Sequence, residues 1–305
     1  MRALILFTQD SVDKGQADPA RLKELLEMNS TQDLTVDTAV YDDLSYFLTP
    51  DTQRIDVHST GRQLDEYDVV YLRRIKENIA QAIAVGKYCK AKRIGVFDAE
   101  IAIRPGSMGK LTQYVGLSLA GLPFPPTVYA SSHTVLRKAL SASSLEYPLI
   151  LKSVSGSRGS DNYLISTREE LEARLQAQPD VHFLIQSYIP NTADYRVWVC
   201  GDVVGPILYR SRSGGHLNNT SQGGSAILVG PETLPEKVLA DCRAAAQLFV
   251  RDVAGVDVVF ENDDTKSQHY FFEVNRAPQI EGTPYEDVKA AALAAYMAGL
   301  ARSTQ

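Results

Sequence analysis

The stretch from Gly255 to Gly282, GVDVVFENDDTKSQHYFFEVNRAPQIEG, constrains what this chain can fold into more than any other. Its apolar and aromatic residues form two runs, Val256–Phe260 and His269–Val274, which a polar segment separates. Short apolar runs bounded by turn-forming residues are typical of buried β-strands. The stretch therefore predicts two buried strands joined by a polar turn.

Three oxygen-bearing side chains lie on this predicted strand pair. Asp257 interrupts the first run, and Glu273 and Asn275 stand at the end of the second. Because strand side chains alternate with period two, Glu273 and Asn275 share a face, and Asp257 joins them if the strands pair. Oxygen ligands of this kind suit Mg2+, which often shares its shell with phosphates. The alternative is an isolated strand carboxylate beside an ordinary strand end.

Composition narrows the class of protein. A chain of 305 residues exceeds one compact core and predicts two or three domains, and 44% hydrophobic residues indicate a globular protein. The net charge of -6 argues against extensive binding of a nucleic acid through its phosphates. A local basic groove is still compatible with this charge.

Cysteines and apolar runs bear on the cellular compartment. The three cysteines are widely spaced, so they predict neither a zinc site nor a disulfide framework. The N-terminal run in MRALILFTQD is too short for a signal peptide, and no run approaches the length of a bilayer span. We expect a cytoplasmic protein without a membrane partner.

The first hundred residues alternate between strand and helix patterns, which predicts a mainly parallel sheet. The strand candidates are Ala3–Phe7, Leu34–Val40, Val69–Leu72 and Ile94–Phe97, and the helix candidates are Ala20–Met28 and Glu77–Cys89. Neither GxGxxG nor GxxxxGK[ST] follows the first strand, so the pattern does not indicate a common dinucleotide or P-loop module.

Arg73 and Arg74 follow directly after the Val69–Leu72 run. Ligands of open α/β sheets gather at the carboxyl ends of the strands, so Arg73 is a candidate substrate contact. The alternative is a solvated pair of loop residues.

A connector and a hairpin follow. Ser107 is a candidate N-cap for a helix that carries Lys110 in its first turn and runs to about Ala120. Further on, the strand Leu149–Val154 carries Lys152, and a glycine loop leads to the return strand Tyr163–Ile165. A glycine loop with a nearby lysine is suited to phosphate, but an ordinary hairpin with a mobile tip gives the same pattern.

The last third of the chain combines strands, a long loop and two helices. The strand candidates begin at Asp194 and Val203, and the helix candidates are Pro235–Val253 and Tyr285–Ala301. Arg212–Ser225 is a polar loop of a length that is usually functional or disordered.

These motifs, in this order, resemble the ATP-grasp superfamily and within it the RimK-like carboxylate–amine ligases, over roughly residues 105 to 300. The resemblance rests on residues that match family motifs in family order. They are Lys110, Lys152, Gly156, Gly159, Gln186, Ser187, Tyr188, Ile189, Asp194, Arg196, Asn219, Gly223, Gly224, Asp257 and the run EVNRAPQIEG from Glu273 to Gly282. No single motif is specific, but their common order is.

The resemblance implies an α/β fold of the ATP-grasp (α+β) type. It implies a small parallel α/β domain at 1–104, a connector helix at 105–127, a lid subdomain at 128–190 and a C-terminal sheet subdomain with the metal site at 191–305. Many relatives are oligomers, so a homo-oligomer is compatible with it, although the sequence shows no distinct self-association stripe.

The resemblance also implies roles for individual residues. ATP contacts are implied for Lys110, Lys152, Gly156, Ser157, Gly159, Gln186, Tyr188, Ile189 and Asp194. Asp257, Glu273 and Asn275 are implied ligands of Mg2+ (or Mn2+). Arg196 and Arg210 are implied to face the transferred phosphoryl group, and Arg73, Asn219 and Arg276 are candidate substrate contacts.

The implied reaction has two steps. A substrate carboxylate attacks the γ-phosphate of ATP to give an acylphosphate and ADP, and an amine then displaces phosphate to give an amide. The substrates are an amino acid, a peptide or a protein tail. The alternatives are a ligase that forms ester or amide crosslinks in a precursor peptide, a small-molecule kinase and a nucleotide-binding regulator.

The chain departs from the family pattern at Ser160, Ser187, Arg276 and Gln279. Arg276 stands beside the implied metal ligands. Two roles are open for it: binding a substrate carboxylate, or forming a structural ion pair with Glu281.

Overall fold

The computed structural model of the chain describes residues 1–75, 78–98, 109–154, 162–211 and 225–304. Its first sheet is parallel, with the strand order β2-β1-β6-β7. The strands are β1 (Arg2–Phe7), β2 (Thr35–Val40), β6 (Val69–Leu72) and β7 (Gly95–Phe97). The predicted parallel sheet is confirmed, with every strand within two residues of its predicted bounds.

Helices cover this sheet. They are α1 (Gln9–Asp13), α2 (Pro19–Asn29) and α3 (Ile79–Lys92). The Asp18 side chain accepts a hydrogen bond from the Arg21 amide and Pro19 opens α2, which is the usual start of a helix.

Sequence reasoning missed a second, antiparallel sheet in this region. It consists of β3 (Leu44–Leu48), β4 (Gln53–Val57) and β5 (Arg62–Gln63). The residues of β3 are at least partly exposed, so the hydrophobic alternation that reveals a strand is weak there.

The next sheet has the order β10-β9-β11-β8 and is antiparallel throughout. Its strands are β8 (Thr127–Tyr129), β9 (Leu149–Ser153), β10 (Asn162–Ile165) and β11 (Phe183–Ser187), and its helices are α5 (His133–Ser141) and α6 (Arg168–Ala177). Helix α4 (Lys110–Leu119) precedes it. The N-cap of α4 is Gly109, and Ser107, the predicted cap, lies outside the described residues.

The largest sheet has the order β14-β13-β12-β15-β16. Its strands are β12 (Ala193–Cys200), β13 (Val203–Ser211), β14 (Ser225–Val229), β15 (Val253–Phe260) and β16 (His269–Arg276). The predicted strand pair is confirmed, since β15 and β16 pair antiparallel. Every residue of β15 is buried, whereas β16 is a mixture of buried and half-buried residues.

Two helices pack on this sheet, α7 (Glu236–Leu248) and α8 (Glu286–Thr304). The prediction that α7 reaches Val253 is wrong because Val250 adopts a left-handed backbone, with φ of 52°, and ends the helix there. Helix α8 lies between the first sheet and the largest sheet, and its apolar residues share one core cluster with both. Among the residues described, no helix has the length and apolar character of a membrane span.

Candidate active site

Helix α4 is fixed to the end strand β16 by two polar side chains. Gln113 accepts a hydrogen bond from the Val274 amide at 3.0 Å, and the Tyr114 hydroxyl donates to the Phe272 carbonyl at 2.9 Å. Both side chains are at most 5% exposed. This attachment places Lys110, the first residue of α4, close enough to Glu273 for its pKa to be affected.

Lys152 also lies near Glu273, and it comes from the β10-β9-β11-β8 sheet, which we call the lid sheet. It is buried on β9, and its ammonium lies 4.8 Å from the centroid of the Phe272 ring. Burial lowers the pKa of Lys152 to about 8, Glu273 opposes that shift and Lys110 adds to it. Two lysines and one carboxylate from three separate elements therefore meet beside β16, and a phosphate chain is the ligand that such a concentration of cations suits.

An ion-pair network crosses the neighbouring strands. Arg196 of β12 donates to both oxygens of Asp257 at 2.7 Å, and Arg210 of β13 donates to both oxygens of Asp194 at 2.6 and 2.7 Å. Arg210 also lies 3.1 Å from Asp257 and so links the two pairs. Burial raises the pKa of Asp257, but Arg196 and Arg210 together bring it below its ordinary value, so this carboxyl stays ionised.

Gly255 lies beside the Arg196–Asp257 pair and permits a close approach to Pro278. A Cβ atom at this position would lie 3.0 Å from the Pro278 Cβ, which is tight, and 3.4 Å from the Arg196 Cδ, which is ordinary contact. The missing side chain therefore accommodates Pro278, which is the kind of close approach that glycine permits within a strand.

The three predicted metal ligands are adjacent. Asp257 pairs in register with Glu273, Gly255 pairs with Asn275, and the Asn275 amide donates to Asp257 at 3.2 Å. Two carboxylates and one amide oxygen form a donor set that fits Mg2+. Over the described ranges, no group of three or more His, Cys, Asp or Glu side chains is arranged to hold a metal. The roles of Asp257, Glu273 and Asn275 as metal ligands stay predictions.

Three of the residues with implied ATP contacts lie at the end of β11. The Gln186 side chain is 1% exposed, donates to the Thr127 hydroxyl at 2.8 Å and accepts from Tyr114 at 3.4 Å. Gln186 thus connects the lid sheet to α4. Tyr188 is half-buried and Ile189 is buried at the start of the segment that connects to β12. Their ATP contacts stay predictions, as does that of Asp194, whose oxygens both accept hydrogen bonds from Arg210.

Arg73 is not exposed to solvent, as it would be if Arg73 and Arg74 were a solvated pair of loop residues. Its side chain is fully buried and donates to Glu281 at 2.9 Å across 208 residues of sequence, so the alternative of a solvated pair is wrong for Arg73. The structural pair that we considered for Arg276 with Glu281 is also wrong, because Arg73 is the partner of Glu281. Arg276 is half-buried, and its Nη1 atom is buried with no hydrogen-bond partner in residues 1–75, 78–98, 109–154, 162–211 and 225–304.

Four predicted site residues lie outside the described residues. They are Gly156, Ser157, Gly159 and Asn219. Their predicted contacts with ATP and substrate stay predictions.

The structure adds polar residues that sequence reasoning missed. Asp98 is fully buried at the end of β7, and burial raises its pKa to about 7. Lys289 of α8 is 1% exposed and donates to the Thr283 hydroxyl, and burial lowers its pKa to about 8. The strand-end rule that selected Arg73 also applies to Asp98, and the position of Lys289 directly before an alanine-rich run of α8 could have indicated its burial.

A lid sheet, a connector helix and a C-terminal sheet that bring cations and carboxylates together define an ATP-grasp ligase. The RimK-like ATP-grasp domain family matches residues 110–297. The chain belongs to this family, as its motifs predict, and its predicted activity as an ATP-dependent carboxylate–amine ligase is confirmed by the same family and its relatives.

Similar proteins cover most of the chain. It is 29% identical over 257 residues to a ribosomal protein bS6–L-glutamate ligase of Escherichia coli, with 80% of each chain covered. It is 28% identical over 269 residues to a probable alpha-L-glutamate ligase of Hahella chejuensis, with 86% of this chain and 84% of the relative covered.

Solved structures of ATP-grasp ligases share the fold across almost the whole chain. The ligase PsnB with a minimal precursor gives a TM-score of 0.67 at 16% identity and 98% coverage of both chains. The macrocyclase MdnC from Microcystis aeruginosa, bound with its precursor peptide MdnA, gives 0.65 at 14% identity, with 98% of this chain and 100% of MdnC covered. PsnB has also been solved with Mg and ADP.

Proposed function

We propose that this ligase joins a carboxylate of a peptide or protein to the amine of a free amino acid, with ATP and Mg2+. The observation that carries the proposal is the meeting of Lys110, Lys152 and Glu273 beside the Arg196–Asp257–Arg210 network. The amino-acid part is supported by the curated relatives, which are named as glutamate ligases. Phosphoryl transfer depends mostly on positioning and charge stabilisation, and the site supplies both.

The nucleotide side of the site has separate tasks for each group. Lys152 and Lys110 place positive charge where the phosphates would lie. Asp257, Glu273 and Asn275 would hold Mg2+, which neutralises charge on the phosphate oxygens. Arg196 is 24% exposed at its side chain and is the accessible arginine of the network, whereas Arg210 is 5% exposed. Arg196 therefore faces the transferred phosphoryl group, and Arg210 holds Asp257 and Asp194 in place.

The proposed chemistry is balanced in two steps. A carboxylate oxygen bonds to the γ-phosphorus as the bond to the ADP oxygen breaks. The amine nitrogen then bonds to the activated carbonyl carbon, phosphate leaves and the nitrogen loses a proton. The first product would hydrolyse in water, so the lid sheet that carries Lys152 must exclude solvent during the reaction.

The test is ADP release with Mg-ATP, the twenty amino acids and acidic peptides, followed by peptide mass. A peptide that gains one amino-acid residue supports the proposal. A peptide that loses one water supports the crosslinking alternative instead, and phosphate retained on a substrate indicates a kinase.

The site assignment has its own variant. Glu273→Gln keeps the shape of the side chain and removes a charge, so ADP release is expected to fall by at least about 1,000-fold. The matched control is Glu261→Gln, an exposed carboxylate beyond the end of β15, which is expected to keep normal turnover. Normal turnover in Glu273→Gln would remove Glu273 from the site.

A further inference from the structure

A cluster of buried polar atoms lies at the carboxyl ends of the parallel strands, apart from the phosphate side of the site. Its members are Tyr41, Tyr71, Arg73, Asp98 and Arg276, and we call it the strand-end cluster. Tyr41, Tyr71, Arg73 and Asp98 are each at most 1% exposed, and Arg276 is the half-buried member. Tyr41, Arg73 and Asp98 come after β2, β6 and β7, and Tyr71 lies within β6.

The members lie near one another. The Arg73 Cζ atom lies 5.9 Å from the centroid of the Tyr71 ring. Burial is the main reason that the pKa values of Tyr41 and Tyr71 are raised, and the charges of Arg276 and Asp98 act on both. Burial also raises the pKa of Asp98, and Arg276 is the strongest charge that opposes this shift. The five side chains therefore belong to one region of the molecule.

Each member has a polar atom that finds no hydrogen-bond partner of good geometry in the described part of the chain. These atoms are the hydroxyls of Tyr41 and Tyr71, Nε and Nη1 of Arg73, Nη1 of Arg276 and Oδ2 of Asp98. Buried polar atoms nearly always have a partner, and leaving one without costs free energy. Six such atoms in one cluster indicate a bound group that satisfies them.

The balance of donors and acceptors specifies that group. Arginine nitrogens and phenol hydroxyls donate, and they suit a carboxylate, which accepts several hydrogen bonds at once. The Asp98 oxygen accepts, and it suits an ammonium group. A free α-amino acid carries both groups on one carbon atom.

The strand-end cluster adjoins the reacting end of the site. Arg276 lies three residues after Glu273 on β16, which is about 10 Å along a strand. Arg251 lies close enough to Asp98, Arg276 and Glu273 for all three charges to affect its pKa. A ligand in the strand-end cluster would therefore be a neighbour of the predicted metal ligands.

We propose that the strand-end cluster binds a free α-amino acid, with Arg73, Arg276, Tyr41 and Tyr71 on its carboxylate and Asp98 on its ammonium group. Its role as the amine substrate rests on the proposed ligase function. The Arg73–Glu281 pair then has a second effect, because it fixes the guanidinium so that Nε and Nη1 remain available to the ligand.

The experiment measures binding of each of the twenty amino acids by calorimetry, with ADP and Mg2+ present, to the wild-type chain and to Tyr71→Phe and Asp98→Asn. At least one amino acid is expected to bind the wild type. Its Kd is expected to rise about 10-fold or more in each variant, as for the loss of a hydrogen bond to a charged group. For the same amino acid, the N-acetyl and α-amide forms are expected to bind as weakly as in the variants.

Tyr71→Phe separates binding from folding. Among the described residues its hydroxyl makes no hydrogen bond of good geometry and lies near the Arg73 guanidinium, so its removal is expected to change the unfolding temperature little. Tyr88→Phe is the matched control. This phenol lies on α3 beside Gln53 and Asp65, and the variant is expected to keep the wild-type Kd.

Two results would overturn the inference: none of the twenty amino acids binds the wild type, or the Kd is the same in wild type, Tyr71→Phe and Asp98→Asn. ADP release is measured separately on the same proteins. Turnover with unchanged amino-acid affinity in the variants would refute the binding site and support the proposed ligase function. Amino-acid binding without turnover for any acceptor would support the binding site and refute the proposed use of a free amino acid as the amine substrate.

Discussion

The phosphate side of the site and the strand-end cluster treat charge in opposite ways. On the phosphate side, Arg196, Arg210, Asp194 and Asp257 satisfy one another before any ligand arrives. In the strand-end cluster, arginine, phenol and carboxylate atoms are buried without hydrogen-bond partners among the residues that the structure describes. A ligand on the phosphate side must therefore displace or extend existing ion pairs, whereas a ligand in the strand-end cluster supplies hydrogen-bond partners.

Removal of one partner of the buried Arg73–Glu281 pair is expected to have the largest effect. Arg73→Met leaves the 3% exposed Glu281 carboxylate without its partner and should lower the free energy of unfolding by about 3–5 kcal/mol. Arg73→Met with Glu281→Leu should recover much of that loss. Urea unfolding of both variants checks this. Equal stability of the single variant and the wild type would show that the pair does not hold the two regions together.

A change in the paired network is expected to affect turnover more than folding. Arg196→Gln removes the accessible charge, and kcat should fall by about 100- to 1,000-fold, as when one donor to a reacting oxyanion is lost. Arg243→Gln, an exposed arginine of α7 paired with Glu236, is the control. Steady-state ADP release measures both, and a change in the KM for ATP alone would assign Arg196 to binding rather than to the transition state.

The pH dependence of ATP use tests the role of the Lys152 ammonium group on the phosphate side. The pKa of Lys152 is about 8, so its ammonium is charged below pH 8 and loses its proton above it. The kcat/KM for ATP, which reports the free enzyme, should therefore fall about tenfold for each pH unit above 8. The Lys152→Gln variant should have a lower kcat/KM for ATP, and this kcat/KM should not decrease further above pH 8. A flat wild-type profile up to pH 10 would show that the ammonium does not act on ATP.

The smallest effect is expected at an exposed pair in the lid. Arg137 and Glu172 join α5 to α6 at 2.7 Å, with side chains 34% and 30% exposed. Arg137→Ala should cost only about 0–1 kcal/mol, because solvent screens such pairs. Thermal unfolding measures this. A loss comparable to that of Arg73→Met would mean that burial does not explain the difference between the pairs.

The order of motifs and the hydrophobic runs predicted most of the fold. β15, β16 and the parallel strands are apolar runs of ordinary length, so local pattern and tertiary burial agree there. The β3–β4–β5 sheet was missed because only Ile55 and Val57 of its residues are buried, so its strands give little hydrophobic contrast. The end of α7 was misplaced because the left-handed backbone at Val250 has no signal in a β-branched residue.

The candidate site was predictable only in part. The sequence selected Lys110, Lys152, Glu273 and Asp257 because their residue types and order carry the chemistry. The sequence did not predict which residues form ion pairs. Arg73 rather than Arg276 pairs with Glu281, and this pair joins residues that are far apart in the chain. A lack of partners, as at Tyr71, is a property of three-dimensional packing and leaves no trace in spacing.

Helix α8 limits how this protein can be divided. Its Leu293 and Met297 belong to one core cluster with Phe7 and Tyr71 of the first sheet and with Trp198 of the largest. The two ends of the polypeptide are thus built as one piece. An exchange of N-terminal domains between relatives, by recombination or in the laboratory, would have to carry the final helix with it to keep that interface matched.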